Sequence, residues 1–150
     1  MAIKPSEQMA IVATIDPDAY GADTYVSDWI DVGKYKGGLM AIVMAGDLGT
    51  SATLDAKWRQ ATSNAGANAK DFDPALSITQ LTQAGTDSDK QVILQVTADK
   101  CDLANGFRFV ALSMTVAVAT SDAGAVVLGV RPDYGPADQY DLASVDEIVG

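Results

Sequence analysis

Histidine is absent from the 150 residues, and cysteine occurs once, as Cys101. The first absence excludes Ser-His and Cys-His nucleophile pairs and His-based metal sites, and the second excludes an internal disulfide and a cysteine-built zinc site. A lone thiol fits a reducing compartment, and Cys101 is expected to be a small inert residue near a turn. Glutamate is almost missing too: 18 of the 20 acids are Asp, leaving Glu7 and Glu147. Asp competes with helical hydrogen bonding through its short side chain and favours turns, so this mixture predicts strands joined by polar turns.

No apolar run is long. Leu39 to Ala45 is seven residues between glycines, far below the ~20 needed to span a bilayer as a helix. Met1 to Gln8 lacks the apolar segment of a secretory leader, and the chain is expected to stay in the cytoplasm where it is made, without membrane contact. Basic residues are few and scattered, ten against twenty acids for a net charge of −10. Phosphate-backbone binding needs clustered Lys and Arg, so nucleic acid is not an expected partner. The glycines match neither the phosphate-cradling loop nor the dinucleotide fingerprint. The remaining chemistry is paired carboxylates, and with so many Asp some pair will meet by chance. An enzyme is therefore not expected, and neither is a cofactor.

The length suits one domain with one core. Tyr25 to Val32 reads as a strand with mixed facing, and Leu39 to Ala45 as a continuous apolar central strand. Ala52 to Gln60 alternates cleanly, with Ala52, Leu54, Ala56 and Trp58 on one face and Thr53, Asp55, Lys57 and Arg59 on the other. Ala61 to Lys70 is an Ala/Asn/Ser/Gly loop whose tip, with Asn64 and Asn68, is a candidate contact site. Asp73-Pro74 could open a short helix, while Ser77 to Leu81 reads rather as a strand. Gln91 to Ala98 alternates except at Ile93. After the Asn105-Gly106 turn, Phe107 to Thr120 is apolar on both faces. Asp122-Ala123-Gly124 is expected to turn into a last strand, Ala125 to Val130, closed by Arg131-Pro132. Seven or eight such strands predict an all-β fold, a β-sandwich or jelly-roll-like single domain with extended terminal arms. The expected divisions are 1–19 as an N-terminal arm or first edge strand, 20–132 as the sandwich, and 133–150 as an acidic C-terminal arm.

Asp16-Pro17-Asp18-Ala19-Tyr20-Gly21 has the outline of a calcium loop's opening, but Tyr20 and Ser27 stand where oxygen-rich ligands are needed, so an acidic turn is expected and no metal. Asp87-Ser88-Asp89 reads as a hairpin loop. Trp58, in register with Leu54 and Ala56, is expected in the core, whereas Trp29 lies on a mixed face and could anchor a partner.

Three stretches carry a resemblance. They are Val26-Ser27-Asp28-Trp29-Ile30-Asp31-Val32 leading through Gly37-Gly38, Ala52 to Trp58 with the loop and Ile78-Thr79-Gln80-Leu81 after it, and Gly106 to Val110 running on to Gly129-Val130-Arg131-Pro132-Asp133-Tyr134-Gly135-Pro136-Ala137. Together they resemble a group of small bacteriophage structural proteins encoded among head genes. The resemblance covers about residues 20 to 140 and implies a virion role without enzymatic activity: a capsid decoration, or cement, protein on the capsid exterior. The implied partners are the major capsid protein and further copies in a homo-oligomer, a trimer by preference. A tail, neck or fibre-base position, or a soluble carbohydrate-binding sandwich, are the alternatives. Isolated apolar residues in the expected arms, Ile3 and Met9 at one end and Tyr134, Tyr140 and Ile148 at the other, join Trp29, Asn64 and Asn68 as expected partner contacts.

Overall fold

The protein is described from a computed structural model covering residues 2–150; Met1, counted in the expected N-terminal arm, lies outside the described residues. Among the described residues, ten strands make two antiparallel sheets. They are β1 (Met9–Tyr20), β2 (Asp23–Val26), β3 (Ile30–Asp31), β4 (Leu39–Ala45), β5 (Thr53–Ala61), β6 (Lys70–Asp71), β7 (Leu81–Thr82), β8 (Gln91–Val96), β9 (Phe109–Ala117) and β10 (Ser121–Val130). The first sheet runs β1-β10-β4-β8, and the second β2-β9-β5-β6, with β3 also on β9 and β7 also on β5. If β2 with β3 and β6 with β7 are each taken as one interrupted strand, eight strands remain in two four-stranded sheets. That is the double Greek key of a jelly roll.

The alternating segments fold as their periodicity requires. Along β5, Leu54, Ala56 and Trp58 are buried and Thr53, Asp55, Lys57 and Arg59 are not. In β8, Leu94 and Val96 point inward while Ile93 points out, 61% exposed. β9, apolar on both faces, is the second strand of its sheet, flanked by β2 and β5, and Val110 to Met114 are all buried. The core between the sheets gathers Trp58, Leu39, Leu54, Leu112, Met114, Val43, Val116 and Val127.

Several expectations are corrected. Asp16-Pro17-Asp18 is no turn: it lies within β1, where a bulge between Ile15 and Asp18 takes up the proline that a regular ladder would exclude. Asp122-Ala123-Gly124 likewise belongs to β10, and the chain reverses earlier, at Val118, whose φ is +75°. Asp73-Pro74 opens no helix, and Ser77 to Leu81 makes only an isolated bridge from Ser77 to Lys57 before the two-residue β7.

The C-terminal segment is also more involved than an arm, and at the other end the edge-strand alternative describes residues 9–20. Residues 9–20 are the edge strand β1, with Met9 opposite Val130, and Ala10, Val12, Ala13 and Ile15 enter the core. The C-terminal segment folds back along the free edge of β1. The Ile11 N–H donates to Asp141 Oδ1 at 2.6 Å, and the Leu142 N–H donates to the Ile11 carbonyl at 2.9 Å. Ala137 is fully buried, and Tyr140 packs edge-on against Tyr35 with ring centroids 6.0 Å apart. The otherwise open edge of β1 is thus capped at Ile11 by this segment.

Candidate functional site

The feature that departs most from an ordinary soluble surface is the outer face of the first sheet. Its register sets Thr14, Val126, Ile42 and Ile93 in one row across the four strands. A second row holds Ile11, Leu128, Met40 and Gln95. A third holds Gly124, Met44 and Gln91, with Pro17 packed against the glycine. No charged side chain interrupts these rows, although charged residues make up 20% of the chain. Met44 is 55% exposed. Leu39 to Ala45 reads as a strand apolar on both faces; its Leu39, Ala41, Val43 and Ala45 are buried in the core, while on the other face Met40 and Ile42 are half-buried and Met44 is exposed. Exposed apolar surface is where interaction sites are sought.

Charged side chains flank that face at its two ends. Where β4 runs out, a shallow hollow of about 770 Å³ is floored by Ile42, Met44 and Val126 and rimmed by Asp16, Asp18, Asp89 and Asp122. Where β4 begins stand Lys36 and Arg131, joined through their backbones, and Lys100 just beyond β8. Among the described residues none of these three is in an ion pair. No three carboxylate or thiol side chains converge as metal ligands among the described residues.

A second cleft, about 530 Å³, opens at the same end as Lys36 and is lined by Asp31, Lys34, Leu103, Arg108, Tyr134 and Tyr140, among others. The buried Asp31 carboxylate accepts from Arg108 and from the Gly33 N–H. Burial, then Tyr140, Asp31 and Asp141, push the Tyr35 hydroxyl above its ordinary pKa.

The expected contact residues fall into three groups. Ile3, Tyr134 and Ile148 are exposed, at 68%, 80% and 52%, and Lys4 Nζ donates to the Gly150 carbonyl at 2.8 Å, which draws the two chain ends together. Met9 and Tyr140 are half-buried parts of the fold rather than free anchors, the first paired in β1 and the second held on Tyr35. Asn64 and Asn68 are exposed on the 61–70 loop, where Asn68 donates to Thr62 Oγ1. Trp29 lies against Gly66 of that loop and is half-buried. The sheet face escaped sequence reading because apolar residues on both sides of a strand carry the same signal whether the second side meets another layer or another molecule.

No family model matches the sequence, and no curated protein matches it. Solved structures are similar to it only at low identity. A chain of the cryo-EM structure of Broad Bean Stain Virus is 9% identical with a TM-score of 0.45, over 91% of this chain and 92% of that one. A chain of Triatoma Virus is 8% identical with a TM-score of 0.43, over 88% of this chain and 68% of that one. The Yersinia pseudotuberculosis-derived mitogen is 10% identical with a TM-score of 0.38, over 88% of this chain and 93% of that one. Likeness at this level carries no argument about what the present chain does.

Proposed function

We propose that this chain is a non-enzymatic bacteriophage virion protein that binds the outer surface of the capsid and stabilises it, assembling from the host cytoplasm onto the major capsid protein. The observation that carries the reading is the gathering of exposed apolar side chains on the two terminal segments, Ile3, Ile148 and Val149, beside the Lys4 to Gly150 contact. Apolar groups left in water at a chain end gain by burial against a partner. Many weak copies of such a contact hold a shell by avidity. The resemblance of residues 20 to 140 to small phage structural proteins supports the same reading, and a compact jelly roll suits it as a rigid carrier.

Co-sedimentation with particles stripped of the protein tests it. Full-length protein should pellet with particles, and the chain ending at Leu142 should pellet markedly less. Equal pelleting of the two would move attachment to another surface. Failure of either to bind capsids, with binding to tail or neck complexes instead, would move the protein within the virion.

A specific observation favours one second reading, a carbohydrate-binding module. Tyr134 and Tyr140 flank a cleft that also offers Asp31 and Arg108, and sugars are held by stacking on aromatic rings with hydrogen bonds to such groups. Loss of glycan retention on Tyr134→Ala would support it.

A further inference from the structure

We infer that the outer face of the β1-β10-β4-β8 sheet is covered by the same face of a second copy of this chain, related by a two-fold axis that lies in the interface and crosses the strands. This goes beyond the virion reading and does not depend on it.

The face is the right material. Its three rows carry no charged side chain, so stacking it on a second sheet buries no charge. Two sheets pack face to face at ~10 Å by interdigitating such side chains. A self-complementary patch gives an isologous, closed pair.

The charges select the occupant and the axis. Face-to-face packing permits a two-fold axis along the strands or across them. An axis along the strands would set Asp16, Asp18, Asp89 and Asp122 of one copy over the same four acids of the other. An axis across the strands reverses one copy end for end while keeping β10 on β10 and β8 on β8, so Asp122 comes over Arg131 and Asp89 over Lys100, cations with no ion-pair partner among the described residues of their own chain, and Asp16 and Asp18 come over the start of β1. The net charge of −10 on each copy opposes association at long range. That repulsion is screened beyond ~8 Å at physiological ionic strength, while the facing ends stay in contact.

Analytical ultracentrifugation of the full chain, without particles, tests this separately from capsid binding. The wild type should sediment as a dimer. Ile93→Lys should raise the dimer dissociation constant by about 100-fold or more, since it sets an unpaired charge between the sheets. Val118→Lys, at a residue 69% exposed but outside the face, should leave it unchanged. Asp122→Lys alone and Arg131→Asp alone should each weaken the dimer roughly 5- to 10-fold, and the two together in one chain should restore it. Both residues sit on the surface, and a melting curve on each variant shows that the fold is intact. A monomeric wild type, a trimer, a dimer indifferent to Ile93→Lys, or a dimer strengthened by Asp122→Lys alone would each overturn the inference.

Discussion

Trp29 lies so close over Gly66 that a Cβ on the glycine would stand 2.5 Å from the indole Nε1. Gly66 also has φ +78°, which side-chain-bearing residues rarely adopt. The contact ties the loop after β5 to the connection between β2 and β3. Gly66→Ala should therefore displace the indole and cost about 1–3 kcal/mol. Tryptophan emission should shift to the red and acrylamide quenching should rise, since Trp58 is sealed in the core and Trp29 alone can change exposure.

Trp58 is fully buried, and its Nε1 has no hydrogen-bond partner. Trp58→Ala should cost roughly 3–5 kcal/mol in denaturant melting. Trp58→Phe should cost far less, about 1–2 kcal/mol, because removing an unpartnered N–H offsets part of the lost packing.

Cys101 is buried, and burial with the neighbouring Asp99 pushes its pKa up to about 11. The thiolate is the reactive form. Alkylation at pH 8 should be slow in the native protein and fast in denaturant, with the native rate rising steeply above pH 9. Rapid native labelling would show that the pocket around Cys101 opens.

Asp71 is bridged to Lys57 at 2.7 Å and Arg59 at 3.2 Å. The Lys57 hydrogen bond, above all, holds its pKa below the ordinary carboxylate value. A lowered folded pKa contributes stability that is present above the unfolded value and lost as pH falls through the folded one. The groups are partly exposed, so Asp71→Asn should cost under about 1 kcal/mol at pH 7. The gap between wild type and variant should close as pH drops through and below about 4, the unfolded carboxylate value.

Ending the chain at Leu142 should leave the melting curve nearly unchanged, because residues 143–150 are almost wholly exposed. Ending it at Pro132 should lower the midpoint clearly, since it removes the buried Ala137, the Tyr140 ring and both hydrogen bonds to Ile11.

Periodicity made β5, β8 and the inner side of β4 readable, because burial on one face of a strand writes itself as alternation. Trp58 followed from that register. Where residues serve two ends at once, sequence misled. Asp122 and Gly124 have turn chemistry but lie in a strand, and the glycine is there because a Cβ would stand 2.9 Å from Pro17 Cα in the bulged β1. The tail looked like an arm because Ala137 and Tyr140 are too few to announce a core. Ala137 is buried and Tyr140 half-buried, the latter on Tyr35, against surfaces that only the folded chain supplies.

The pairing of β1 with β10 joins residues 9–20 to residues 121–130. During synthesis the first strand therefore emerges about a hundred residues before its ladder partner β10. Its edge cover, residues 141–142, comes later still. Closure of the first sheet must wait for translation to pass β10. Such long-range pairing makes folding slow, and the nascent chain is most open to unwanted strand pairing, and most in need of a chaperone, in the interval before that strand leaves the ribosome.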